Sequence, residues 1–274
     1  MKKGQYKLDK YNSYIIDGYN SGKSINYLSN LYSSSYETIS DLLHRNNVNV
    51  TSNKYSYKES YFENIDSQDK AYFLGFLYAD GNRSKSQYKV SLKLQEKDKH
   101  ILETFQRYLD TSCPLKRRKT THQDQYSLEI YNKKISNDLY AKGLIPAKSL
   151  ILDFPNFLND DSLCHFVRGY FDGDGCFTYY LSKNHYKTMI HILGSGIFCD
   201  KLSKILKQKL NINSYIYHPD KNKIFDLTIS GNVQVRKFME WLYQNSSEDL
   251  RLKRKYIKYV NMKYILDHRR KEIL

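Results

Sequence analysis

Cysteine is scarce in this chain and badly spaced for either of its structural uses. Cys113, Cys164, Cys176 and Cys199 form no C-x-x-C pair, and His122, His165, His185 and His191 add no zinc-ligand spacing beside them. A disulfide framework and a structural zinc site are therefore set aside. Long apolar runs are also missing: none approaches the roughly 20 residues needed to span a bilayer. The opening residues Met1-Lys2-Lys3-Gly4-Gln5 lead into polar sequence and not into a signal-peptide core. The expectation is a soluble, intracellular protein with no membrane partner. Negative charge is in short supply as well. Against 29 Asp and Glu stand 44 Lys and Arg, a formal net charge of +15, which makes a polyanion, and nucleic acid first, the expected partner. The cations run the whole length and are interleaved with 27 Tyr and 12 Phe, a pattern that suits a folded binder better than a disordered basic arm.

A chain of 274 residues has room for about two domains or one large one, and its patterns divide it. Tyr14, Ile15 and Tyr19, then Ile25, Leu28 and Leu31, then Ile39, Leu42 and Leu43 fall at helical spacing and predict three short helices within residues 1–50. Ser24 is suited to cap the second, and Ser33-Ser34-Ser35 to make the turn and cap before the third. Residues 51–66 are polar and aperiodic and read as a linker. From Ser67 one order of elements occurs twice, over 67–158 and 159–274. Each copy opens with a helix ending in Asp-Gly, at Asp80-Gly81 and at Asp174-Gly175. Strands follow, and in the first copy Lys89 to Gln95 alternates without a break, burying Val90, Leu92 and Leu94 and opening Lys89, Ser91, Lys93 and Gln95. The order predicted for each copy is helix, two strands, helix, two strands, helix, an α+β fold.

The repeated helix carries the chemistry. Gly75 and Ala79 are four residues apart, as are Gly169 and Gly173, so each helix shows a stripe of small residues. Glycine within a helix costs about 1 kcal/mol relative to alanine, and a placement repeated in both copies argues for two helices in close backbone contact. Packed in parallel about a pseudo-twofold axis, they bring Asp80 and Asp174 together at their C-terminal ends. Two carboxylates there face each other and the negative ends of two helix dipoles. A divalent cation held by oxygen ligands offsets that charge, and this ligand chemistry favours magnesium over zinc.

Phe73 to Gly81 and Val167 to Gly175 resemble the two copies of the LAGLIDADG motif, and the duplicated αββαββα order is similar to the halves of the LAGLIDADG homing endonucleases. The resemblance covers about residues 67 to 260. It implies a monomer whose strands form a saddle over DNA, cutting a long asymmetric double-stranded target with Mg2+ or another divalent cation such as Mn2+. It assigns metal binding and catalysis to Asp80 and Asp174. The motif's earlier acidic position is Tyr78 in one copy and Asp172 in the other, a departure that leaves activity possible. Lys148, and Lys255 in competition with Lys253 and Arg254, match the segments that carry a basic residue toward the family's active site. On the saddle the resemblance places Arg83, Lys85, Lys89, Ser91, Lys93, Gln95, Lys116 and Arg118 from one half, and Thr178, Tyr180, Ser182, Lys187, Asp226 and Thr228 from the other.

The first three helices resemble a helix-turn-helix, with Ser35, Tyr36 and Thr38 at the groove-facing start of the recognition helix. Two other classes use the same fold: an RNA-binding intron maturase and a catalytically inactive DNA-binding regulator. Intact Asp80 and Asp174 favour the nuclease. The ends, Met1-Lys2 and Ile273-Leu274, lack the nucleophile and the His-Asn pair expected of an intein.

Overall fold

The computed structural model describes residues 8–21, 23, 25–48, 50, 55–85, 87–121, 123–218 and 224–269. It divides into two units, one formed by residues up to 58 together with 106–114, the other by 59–105 together with 115–274.

The first unit contains α1 (Asn12–Asn20), α2 (Ile25–Leu31) and α3 (Tyr36–Arg45). At 9, 7 and 10 residues these helices are shorter than the roughly 12–15 that an isolated helix needs in water. They depend on a shared core of Leu8, Ile15, Ile25, Leu28, Ile39, Leu42 and Leu43. Periodicity named most of these; Tyr14 and Leu31, expected on the same faces, are exposed instead. Ser24, expected to cap α2, lies outside the described residues. The stretch read as a linker to residue 66 is shorter than its polarity suggested. Tyr61 and Phe62 are buried in the second unit, where both rings pack against Phe105.

The second unit holds the duplication. Its first copy runs α4 (Gln68–Asp80), β1 (Gly81–Arg83), β2 (Lys89–Gln95), α5 (Lys99–Tyr108), β3 (Lys116–Arg118), β4 (Gln125–Tyr131) and α6 (Lys133–Ala141). The second runs α7 (Asp160–Asp174), β5 (Gly175–Ser182), β6 (His185–Gly194), α8 (Gly196–Leu210), β7 (Tyr215–Tyr217), β8 (Phe225–Ser230) and α9 (Asn232–Tyr243). The strands make two antiparallel four-stranded sheets of identical topology, β1-β2-β4-β3 and β5-β6-β8-β7. Alternation works as expected: Val90, Leu92, Leu94, Leu128 and Ile130 are buried in the first sheet, and Ile190, Ile192, Leu227 and Ile229 in the second. One element escaped the sequence reading, a long helix α10 (Lys253–Arg269) that carries Lys255 in its first turn.

Candidate active site and nucleic-acid interface

The two Asp-Gly helices lie in parallel, and glycine lets their backbones touch. A Cβ at Gly75 would stand 2.0 Å from the carbonyl oxygen of Phe166, and one at Gly169 would stand 1.9 Å from that of Tyr72. The contact is reciprocal, because Phe166 and Gly169 occupy in the second copy the places of Tyr72 and Gly75 in the first. At the C-terminal end a Cβ on Gly173 would lie 2.3 Å from the Ala79 Cβ and 3.1 Å from Oδ2 of Asp80. The small-residue stripe is therefore the crossing surface, and it delivers Asp80 and Asp174 to one place. Gly81 and Gly175 then turn the chain into β1 and β5. A Cβ there would meet the carbonyl oxygens of Leu77 and Phe171 at 2.4 and 2.6 Å.

Crowding sets the electrostatics of this end. Desolvation raises the Asp80 carboxyl to about 6, and the charge of Asp174 adds to the rise. Asp174 is raised by the same desolvation. Both remain open to solvent at one side.

Two buried lysines oppose that negative charge. Lys148 donates from Nζ to the carbonyls of Ala79 at 2.9 Å and Gly81 at 2.6 Å. Lys255 donates to those of Phe171, Asp172 and Gly175 at 2.5, 2.9 and 2.5 Å. Each ammonium thus caps the C-terminal end of one motif helix, where a cation is favoured by the dipole. Burial pulls Lys148 down and brings Lys255 to about 8, with nearby carboxylates acting the other way. Of the three basic residues that competed in the second copy, Lys253 is exposed and Arg254 is held by a two-pronged ion pair to Asp98. The sequence reading did not foresee that the lysines would satisfy helix carbonyls, since nothing in the spacing tells where an ammonium ends.

Comparison with known proteins agrees with this architecture. Residues 161–242 match the family described as LAGLIDADG-like domain. The I-LtrWI LAGLIDADG homing endonuclease, solved bound to target DNA, aligns with a TM-score of 0.53 at 15% identity, over 76% of this chain and 92% of that one. I-SmaMI bound to cleaved DNA aligns at 0.52 and 12% identity, over 74% and 90%, and the meganuclease I-AabMI bound to uncleaved DNA at 0.51 and 14%, over 73% and 91%. The chain has the two-repeat LAGLIDADG fold. No curated protein sequence matches it.

The open faces of the two LAGLIDADG sheets differ. On the first, Lys89, Ser91, Lys93 and Gln95 of β2 share a face with Lys116 and Arg118 of β3, as their cross-strand register requires. Glu129 of β4, which the sequence reading passed over, sits among them and binds Lys89 at 3.0 Å and Lys116 at 2.5 Å. Lys116, ahead of Lys89, holds the Glu129 carboxyl down at about 2. Lys85 lies exposed in the turn between β1 and β2.

Arg83 does not join this face. It pairs with Val90 and so points to the core side, where Nε donates to the carbonyl and hydroxyl oxygens of Ser136 at 3.1 Å and the guanidinium lies 4.5 Å from the Tyr140 ring. The strand begins at Gly81 opposite Leu92, and a period of two from there sends residue 83 inward.

The second face carries Thr178, Tyr180, Ser182, Lys187, Asp226 and Thr228 as expected from alternation. Asp226 accepts from His191 at 2.9 Å, and the Thr228 hydroxyl lies 3.2 Å from the same ring nitrogen. Exposed Tyr215 and Tyr217 border them on β7. His191 and these tyrosines are further candidate contacts, and alternation along β6 and β7 was the signal for them.

In the first unit, two of three residues proposed for the groove are otherwise engaged. The Ser35 hydroxyl caps α3 by accepting from the Thr38 amide at 3.2 Å, and Tyr36 packs half-buried against the core. Thr38 is exposed, with its hydroxyl 3.0 Å from that of Ser35.

Proposed function

We propose that this chain is a site-specific double-stranded DNA endonuclease of the homing type, hydrolysing phosphodiesters with a divalent cation, magnesium or manganese. The observation that carries the reading is the meeting of Asp80 and Asp174 at the ends of two touching helices, with a buried lysine behind each. Among the described residues no group of three or more His, Cys, Asp and Glu side chains is placed to hold a metal. A pair of carboxylates with no third His, Cys, Asp or Glu side chain grouped with it among the described residues fits magnesium, which binds through one or two carboxylates and keeps its remaining positions for waters and substrate phosphates. When bound, the cation supplies Lewis acidity toward the scissile phosphate and its water. Asp80 and Asp174 hold it. Lys148 and Lys255 hold the helix ends rigid and add positive charge where the phosphorane gains negative charge.

The sheets supply the grip on DNA: cations on the first face, and amide, hydroxyl and imidazole groups for base edges. Both motif copies lie in one chain, so the active centre is complete without a partner and the target is asymmetric. The three-helix unit adds a helix-turn-helix contact through α3. Cleavage of a randomised DNA library with magnesium, followed by sequencing of the cut ends, tests the proposal directly. Failure of pure, folded protein to cut any member, with structured RNA bound instead, favours the maturase.

Affinity is expected to fall steeply with salt, because each neutralised phosphate contributes a slope of about −0.9 in the log of the association constant against log salt on duplex DNA. A filter-binding series between low and physiological salt measures it, and a flat profile speaks against phosphate contacts by Lys93, Arg118 and their neighbours.

Metal binding has a thermal signature. The proton-bound form of Asp80 is favoured by the fold. Its contribution to stability is present below the unfolded value of 3.8 and is lost as pH rises through about 6. Magnesium competes with those protons. It is expected to raise the Tm clearly at pH 7.5 and much less at pH 5. Equal shifts at both pH values would place the ion elsewhere.

A further inference from the structure

The motif position two residues before each candidate metal ligand differs between the copies, Tyr78 in one and Asp172 in the other. Their chemistry is unlike, yet the structure uses them alike. Tyr78 is buried in α4 and donates its hydroxyl to the backbone carbonyl of Lys142, at the end of α6. From there Gly143 to Ala147 lead directly to Lys148. Gly143 is required by this contact: its φ is +95°, and a Cβ would stand 2.2 Å from the Tyr78 hydroxyl. Asp172 is buried in α7, and its Oδ2 accepts from the Leu252 amide at 2.8 Å. Leu252 opens the first turn of α10, where its carbonyl accepts from the Lys255 amide at 3.0 Å. Oδ2 of Asp172 also accepts from Tyr72 of the opposite helix at 2.8 Å.

In each half, then, one buried side chain of the motif helix ties down the backbone of the segment that returns the buried lysine to that same helix. The two ties have opposite polarity, a donor reaching a carbonyl and an acceptor reaching an amide, because the returning segments differ: the end of a helix in one half, the start of one in the other. Geometry asks only for a tie at this place and not for a given residue type.

We propose that Tyr78 and Asp172 are positioning residues that fix Lys148 and Lys255 respectively, so that each governs one half of the active centre. The part concerning cleavage rests on the endonuclease reading; the part concerning lysine placement does not. Both are tested with full-length protein and the variants Tyr78→Phe, Asp172→Ala and Asp172→Asn. Asparagine keeps an acceptor for the Leu252 amide and serves as the conservative rescue.

Reductive methylation with peptide mass spectrometry reads the lysines. In the parent protein Lys148 and Lys255 should be protected. Tyr78→Phe should raise labelling of Lys148 alone, Asp172→Ala that of Lys255 alone, and Asp172→Asn should restore protection. Nicking of a duplex labelled on either strand, at a site taken from the library selection, reads the function. Each tie-breaking variant should slow one strand by about tenfold or more, the scale for loss of an outer-shell partner, and leave the other strand near its parent rate. Circular dichroism confirms that each variant is folded. Unchanged labelling in folded Tyr78→Phe and Asp172→Ala overturns the proposal, as does equal slowing of both strands. A parent protein that cuts nothing while the labelling follows the expected pattern removes the endonuclease reading and leaves the ties standing.

Discussion

Asp80→Asn and Asp174→Asn should each reduce metal-dependent cleavage by about a thousandfold, since loss of a metal contribution worth several kcal/mol translates at about 1.4 kcal/mol per decade. Asparagine matches aspartate in size and keeps an oxygen, so neither the helix crossing nor the turn at Gly81 or Gly175 is disturbed. What disappears is the charge that holds the cation. DNA binding should persist and tighten slightly, because a carboxylate that faces phosphates in the complex has been removed. In the absence of metal both variants should also be more stable at neutral pH than the parent, as each relieves a carboxyl that the fold prefers protonated. Paired binding and cleavage on one substrate across a magnesium titration separates these effects. Full cleavage by either variant would end the assignment of Asp80 and Asp174.

The second large effect is expected from one methyl group. In Gly169→Ala the new Cβ lies 1.9 Å from the Tyr72 carbonyl oxygen and 2.8 Å from the Phe76 amide nitrogen, backbone atoms of a packed helix that cannot rotate aside. Gly75→Ala meets Phe166 in the same way at 2.0 Å. Alanine is the better helix former by about 1 kcal/mol, but parting the two helices opens the crossing on which both repeats are built. Overpacking of this kind costs about 3 kcal/mol net of that gain, which should lower the Tm by about 6–12 °C for a unit of this size. Cleavage should suffer beyond the loss of folded protein, since the carboxylates move apart with the helices. A neutral or stabilising result in thermal denaturation would mean that the backbones do not touch at these glycines.

Much of this was legible in the chain because it depends on period and repetition. A period of two marked β2 and β4 and their open faces, and a period of 3.6 marked the short helices of the first unit. The duplicated Asp-Gly ending, with Gly75 and Ala79 echoed by Gly169 and Gly173, locates the crossing and the two carboxylates. Those are local properties. They hold wherever the chain goes, as long as each element has one face to bury.

What failed in the sequence reading shares a different character. Arg83 sits two residues from a strand start, Gly81, whose register is set by its partner Leu92, and a shift of one reverses the face. Glu129 offsets Lys89 and Lys116 only because β4 lies between β2 and β3, an order that sequence position conceals. The lysines and their ties depend on contacts between residues 64 to 84 positions apart in sequence. The sequence by itself determined the elements, the duplication and the pair of acids. Only the tertiary structure decided which cations reach the helix ends, which are neutralised by a neighbour, and what holds each one there, because those outcomes are set by distances across the fold that no local pattern encodes.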